Sequence, residues 1–274
     1  EMRFIRDRFG LIYLSLRDDT FTADRRRTVE LCRTMIESRL NIFWNCQSRV
    51  EAIDSATLEW MRRAGCECIQ LGVESGSERM LQLLGKRIRP DQVIRAAELI
   101  HQAGIHLSVY LISGIPEETE TDRHQTINLI STITPDDVQI APLAYYPGTA
   151  LFDQAVRNGL VRADLFETSR QTAVLAQRNG QNQVDRLLSR TAEFRHQQNT
   201  GQLQAIQRRA GYSAVTAMML GDLQQSRGND TAAETQYRQL TLRQPDHPWG
   251  WYLLAELLEQ RGPAFEAAHC YERV

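Results

Sequence analysis

Four short segments hold residue types that do chemistry. Arg17-Asp18-Asp19-Thr20-Phe21-Thr22 groups paired carboxylates with hydroxyls. Leu71-Gly72-Val73-Glu74-Ser75-Gly76-Ser77 sets a carboxylate and two hydroxyls between glycines, where backbone can approach a ligand closely. Ser113-Gly114-Ile115-Pro116-Glu117-Glu118-Thr119 and Tyr145-Tyr146-Pro147-Gly148-Thr149 are tight turns. An ionised carboxylate accepts hydrogen bonds from a pair of hydroxyls or binds an ammonium group. Taken singly, each segment is explained equally well as a helix start, because Asp, Ser and Thr cap helices and Gly and Pro shape turns.

The elements around these segments repeat. Apolar runs at Leu11–Leu16, Asn41–Cys46, Cys66–Val73, His106–Ile112 and Val138–Leu143 predict five strands. Helices are predicted at Asp54–Ala64, Ser77–Leu84, Asp91–Ala103, Thr119–Ile133 and Thr149–Asn158. A further helix with Val29, Cys32 and Ile36 on one face is capped by Thr22 or Asp24. Nearly continuous apolar strands are buried on both faces, which predicts a parallel sheet wrapped by helices. A doubly wound sheet and a (β/α) barrel both fit. In both, ligands bind beyond the carboxyl ends of the strands, where the polar segments fall.

Residues 161–213 are rich in Gln, Arg and Asn and predict a helical linker. Its thin apolar stripe is Val184, Leu187, Leu188 and Phe194, with loops near Gly180 and Gly201. Residues 214–274 repeat with a period of about 34 residues. Leu220-Gly221 matches Leu254-Ala255, and Gly228, Ala233 and Tyr237 match Gly262, Ala267 and Tyr271. The pattern resembles tetratricopeptide repeats, which implies an all-α region that presents a surface to a partner protein. Two copies are fewer than a stable array needs, so the pair is expected to lean on the first domain or continue into further repeats.

The 274 residues have a formal net charge of −2 and are 24% charged, which argues against a general nucleic-acid binder. No run is long and apolar enough to span a membrane. Five scattered cysteines suggest a reduced, cytoplasmic setting. The six histidines show no metal-ligand spacing, and no P-loop, dinucleotide fingerprint or nucleophile elbow is present.

Residues 1–160 resemble the radical S-adenosylmethionine (SAM) superfamily, most closely the branch that often carries an upstream cobalamin-binding domain. The resemblance rests on the order Asp18-Asp19-Thr20-Phe21-Thr22, Trp44-x-Cys46-x-x-Arg49, Met61-x-x-Ala64-Gly65-Cys66, Gly72-Val73-Glu74-Ser75-Gly76-Ser77, Gly114-Ile115-Pro116-Glu117-Glu118-Thr119 and Tyr145-Tyr146-Pro147-Gly148-Thr149. It implies a partial (β/α)6 TIM-like barrel, here without its first strand. It also implies SAM and a [4Fe-4S] cluster as cofactors, with cobalamin as a third. The implied activity is generation of a 5′-deoxyadenosyl radical for C–H functionalisation or methyl transfer on a small molecule or lipid.

Carried over by position, Asp18, Asp19 and Thr20 face the SAM amino group. Glu74 accepts the ribose hydroxyls, assisted by Ser75. Lys86, with Arg87 as its competitor, meets the SAM carboxylate. Arg49 reaches the methionine moiety or the ribose, and Ile115 with the Leu143–Tyr145 strand end walls the adenine. The family's CxxxCxxC run is absent from this sequence. Cys66 and Cys68 share a strand face in an i, i+2 arrangement and are expected to be packing residues, as are Cys32 and Cys46. Residue 1 then falls in the helix after the cluster loop, and the chain alone is expected to be inactive. The competing reading is a non-catalytic scaffold that binds proteins through the helical repeats.

Overall fold

A computed structural model describes residues 1–168, 174–176, 180–192, 199–262 and 264–274. Up to the last strand of the sheet, helices and strands alternate: α1 (Met2–Phe9), β1 (Tyr13–Leu16), α2 (Arg25–Glu37), β2 (Phe43–Ser48), α3 (Ser55–Arg63), β3 (Cys66–Glu74), α4 (Glu78–Leu83), α5 (Pro90–Ala103), β4 (His106–Ser113), α6 (Glu120–Ile133) and β5 (Asp137–Pro142). Then come β6 (Ala144–Tyr145), α7 (Ala150–Arg157), α8 (Leu165–Thr168), β7 (Val174–Leu175) and α9 (Gly180–Thr191). The remaining elements are α10 (Thr200–Ala210), α11 (Ala214–Ser226), α12 (Asp230–Arg243), α13 (Pro248–Arg261) and α14 (Ala264–Tyr271).

Strands β1 to β5 lie in chain order in one sheet, and the β1–β2, β2–β3 and β4–β5 pairs are parallel. All five predicted strands form, each within about two residues of its expected ends. By contacts, the chain divides into two units. The first comprises Glu1–Leu71, Arg95–Leu107 and His196–Val274; the second comprises Gly72–Ile94 and Ser108–Arg195.

In the first unit, Asp24 caps α2 by accepting from the Arg27 amide, which decides between the two expected caps. Thr22 is used differently: its hydroxyl bonds that of Ser48, at the end of β2. Asp54 caps α3 through the amides of Ala56 and Thr57. The β2–β3 register shifts, so that Trp44 pairs with Cys66 but Asn45 pairs with Cys68, and Glu67 is the extra residue. This bulge corrects the expectation for the two cysteines. Cys66 is buried with Ile69, Leu71 and Val73, whereas Cys68 is only half-buried, so the two do not share a face.

The first unit also contains α10 to α14. Leu203, Ile206, Val215, Met218, Met219 and Leu240 form one buried cluster with Phe43 of β2. Trp249 stacks on Phe43 with ring centroids 5.0 Å apart, and its indole N–H donates to the Ile12 carbonyl at 2.9 Å. Burial of these apolar side chains holds the helices to the sheet strand. Between α11 and α12, Gly221 makes room for Tyr237. A Cβ on Gly221 would lie 2.1 Å from Tyr237 Cε1. The Tyr237 hydroxyl donates to Asp222 at 2.7 Å.

In the second unit, β6 and β7 form an antiparallel pair that the sequence did not suggest. Gly180 and Gly201 lie in the first turns of α9 and α10 rather than in loops. Phe194 lies outside the described residues.

Candidate functional site

The second unit carries the most developed polar site, at the carboxyl end of β3. There the Ser75 amide donates to the Val73 carbonyl at 2.9 Å, closing a γ-turn around Glu74. Glu74 sits at φ 68°, a left-handed conformation that glycine adopts freely and glutamate does not. Such backbone strain persists only where surrounding contacts fix it, and it concentrates at ligand sites. The Glu74 carboxylate is fixed by Lys86, whose Nζ lies 2.8 Å from Oε1. It also lies over Gly72, where a Cβ would come within 2.9 Å of Oε1. Lys86 is the only lysine among the chain's 32 Lys and Arg residues. An ammonium is a compact charge on a flexible stem, able to exchange partners in a way that a fixed guanidinium fork is not.

Ser75 turns away from solvent. Its hydroxyl lies 3.2 Å from that of Thr126 and accepts from the Ser77 amide at 3.1 Å. The Gly76 amide donates to Thr126 Oγ1 at 2.9 Å. Gly76 meets the α6 backbone directly, since a Cβ there would lie 2.5 Å from the Gln125 carbonyl oxygen. Ser77 caps α4 and donates to Asp122 Oδ1 at 2.6 Å.

Asp122 is the hub of this network. Its Oδ2 accepts from Arg79 at 2.5 Å and from the Thr119 amide and hydroxyl at 2.8 and 2.6 Å. Burial pushes its pKa up, but the bonds from Arg79, Ser77 and Thr119 outweigh burial and hold it well below the ordinary carboxylate range. Asp122, Arg79 and Thr126 were not among the predicted site residues. Thr119-x-x-Asp122 is visible in the sequence as a helix cap, but its partners lie about 45 residues upstream.

The other predicted residues of the second unit are placed as follows. Ile115 is fully buried, in a turn closed by the Glu118 amide donating to its carbonyl at 3.1 Å. Burial raises the Glu118 carboxyl, opposed by Arg123 at 3.4 Å. The Tyr145 side chain packs in a small core with Phe152 and Ala155, and its strand pairs with β7. The Leu143 amide and carbonyl are taken by Ser113 and Ala176. Backbone groups expected to face adenine are thus engaged within the protein.

The first unit holds Asp18, Asp19, Thr20 and Arg49. Asp18 and Asp19 are exposed; Arg27 approaches Asp18 at 3.6 Å, and the Thr20 hydroxyl donates to the Asp19 carbonyl. Arg49 is half-exposed and its guanidinium is bound by Glu51 at 2.6 Å. Among the described residues, no group of three or more His, Cys, Asp or Glu side chains could hold a metal ion. Cys32 and Cys66 are buried, and burial raises both thiols, that of Cys32 to about 12. Buried neutral thiols of this kind are packing residues, and the described residues do not fit a [4Fe-4S] cluster, which requires several accessible thiolates.

The model of the radical SAM superfamily matches residues 2–130. The match covers just under half of the chain. An uncharacterized methyltransferase of Pyrococcus horikoshii is 30% identical over 161 residues, covering 59% of this chain and 35% of that protein. Two solved structures share the fold. The radical SAM methyltransferase TsrM from Kitasatospora setae, with cobalamin and a [4Fe-4S] cluster bound, aligns at TM-score 0.53 and 16% identity over 58% of this chain and 32% of its own. The cobalamin-dependent SAM radical enzyme OxsB aligns at TM-score 0.53 and 11% identity over 98% of this chain and 52% of its own. The chain therefore spans about a third to a half of the length of these relatives. No helix among the described residues is long and apolar enough to cross a membrane.

Proposed function

We propose that this chain provides part of the SAM-binding machinery of a radical SAM enzyme that transfers a methyl group or functionalises a C–H bond. The observation that carries the reading is the Glu74 carboxylate, held in a left-handed turn at a strand end and clamped between Gly72 and Lys86. Its two oxygens suit the paired ribose hydroxyls of SAM. Lys86 suits the SAM carboxylate and can leave Glu74 to meet it. Ser75, Gly76 and Asp122 position the turn rather than touch the ligand.

Asp18, Asp19 and Thr20 are assigned to the SAM ammonium on the strength of the resemblance alone, and Ile115 to an apolar wall. Arg49 and Tyr145 have partners of their own and take a supporting place. A [4Fe-4S] cluster, as in the family this chain resembles, would supply the electron for radical chemistry, and its thiolates are proposed to come from outside the described residues. Cobalamin as a further cofactor, a small-molecule or lipid substrate and a protein partner for α11 to α14 belong to the same proposal.

Equilibrium SAM binding, by calorimetry on the folded protein, tests the Glu74 assignment. Loss of a charge-assisted hydrogen bond costs about 1.5–3 kcal/mol, so Glu74→Gln should weaken SAM by about one to two orders of magnitude. Lys86→Met should also weaken it. Equal affinity in a folded Glu74→Gln protein refutes the assignment. No SAM binding by the wild type would favour the scaffold reading.

A further inference from the structure

Arg62, in the last turn of α3, is 1% exposed, and its one ion pair is long. Its Nη2 donates to the Ala210 carbonyl at 3.1 Å, and Nη1 has no partner. The nearest carboxylate oxygen is Glu59 Oε1, at 4.0 Å on a half-exposed side chain. Burial lowers the Arg62 pKa, and the neighbouring Arg63 and Arg209 lower it further against the pull of Glu59. A guanidinium nevertheless keeps its proton in a protein, so the charge remains. A buried cation held only by a long, half-exposed ion pair is costly, since burial normally comes with close pairing.

The space beside Arg62 is a cavity of about 540 Å³ within the first unit, walled by α3, α5 and α10. Arg63 and Arg209 also line it, and Glu59 is its one acidic wall residue, so three guanidiniums face a single carboxylate. Arg209 spends one N–H on the Gln102 carbonyl, at 2.7 Å. Arg63 lies over the Trp60 ring at 4.5 Å, a contact that leaves its in-plane donors free for a ligand. Ser55 adds a hydroxyl. The volume is that of an ordinary small-molecule site.

We propose that this cavity is an anion site in which Arg63 and Arg209, beside the buried charge of Arg62, bind the phosphate or carboxylate group of a small ligand. Guanidinium forks match either oxyanion through paired N–H donors. The ligand would offset the net positive lining. None of these residues takes part in the proposed SAM contacts.

The test is calorimetric titration of the whole protein with pyrophosphate and, separately, with citrate. The wild type should bind at least one probe saturably, with Kd below about 1 mM. The tighter probe then identifies the ligand class as phosphate or carboxylate. Arg63→Gln and Arg209→Gln alter exposed positions and should fold; each should weaken binding about tenfold, the loss expected for one charge-assisted bond. Arg62→Met keeps the bulk, removes the buried charge and should weaken binding, with circular dichroism reporting whether it folds. No saturable binding of either probe by the wild type overturns the proposal. So does unchanged affinity in both glutamine variants. SAM affinity in these variants should stay at the wild-type value, which separates failure of this site from failure of the Glu74 reading.

Discussion

Replacing Gly76 with alanine tests whether the Glu74 turn is held by close backbone packing. A Cβ at this position would lie 2.5 Å from the Gln125 carbonyl oxygen and 2.6 Å from Thr126 Cα. Carbon contacts are comfortable at about 3.5–4 Å, so the turn must retreat from α6 by about 1 Å. Both obstructing atoms are helix backbone and cannot rotate away. A shift of that size breaks the 2.9 Å bond from the Gly76 amide to Thr126 and the 3.2 Å contact between Ser75 and Thr126. Overpacking costs about 1–3 kcal/mol and each lost hydrogen bond about 1 kcal/mol. Gly76→Ala should therefore lose about 3–5 kcal/mol, read as a lower urea midpoint at unchanged slope. Thr126→Val removes the hydroxyl without crowding and should lose only about 1–2 kcal/mol. Gly72→Ala meets the movable end of the Glu74 side chain instead, 2.9 Å away, and should keep its stability within about 1 kcal/mol while weakening SAM. Gly76→Ala within about 0.5 kcal/mol of wild type would refute the packing argument.

Two further outcomes follow from buried groups. The Asp122 carboxyl is held below its unfolded value, so its contribution is complete above the ordinary carboxylate pKa of about 4 and is lost as pH falls below it. Asp122→Asn should lose about 2–3 kcal/mol at pH 7, since Arg79 is half-exposed and part of the pair is screened, and should flatten the stability–pH curve below about pH 4; a curve as steep as the wild type's would contradict the assignment. Gly221→Ala should cost about 1–3 kcal/mol despite the better helix propensity of alanine, because its Cβ meets a Tyr237 ring that Asp222 holds in place. Shortening the ring by Tyr237→Leu in the same chain should recover part of that loss, and strict additivity of the two changes would show that they do not touch.

What the sequence made legible is local, and what it hid is pairing at a distance. Asp54 and Ser77 each announce a helix because a cap and the amides it binds are two or three residues apart. The strands announce themselves because an apolar run needs only its own neighbours to be read. The Glu67 bulge is different in kind. Its cause is the register between β2 and β3, and no period within either strand records it. Asp122 fails to announce its larger role for the same reason: Thr119-x-x-Asp122 completes a cap, and nothing near it says that Ser77 and Arg79 also arrive. Arg62 is the sharper instance. A basic residue in the last turn of a helix is ordinarily a solvated complement to the helix dipole, and only the packing of α10 against α3 turns it into a buried cation. Glu74 stands between these cases. Its glycine-flanked position singles it out in the sequence, but its left-handed backbone and its hold on Lys86 belong to the folded turn. A residue's type sets the chemistry it can do; whether that chemistry is spent on the fold or kept for a ligand depends on partners that the chain brings from elsewhere.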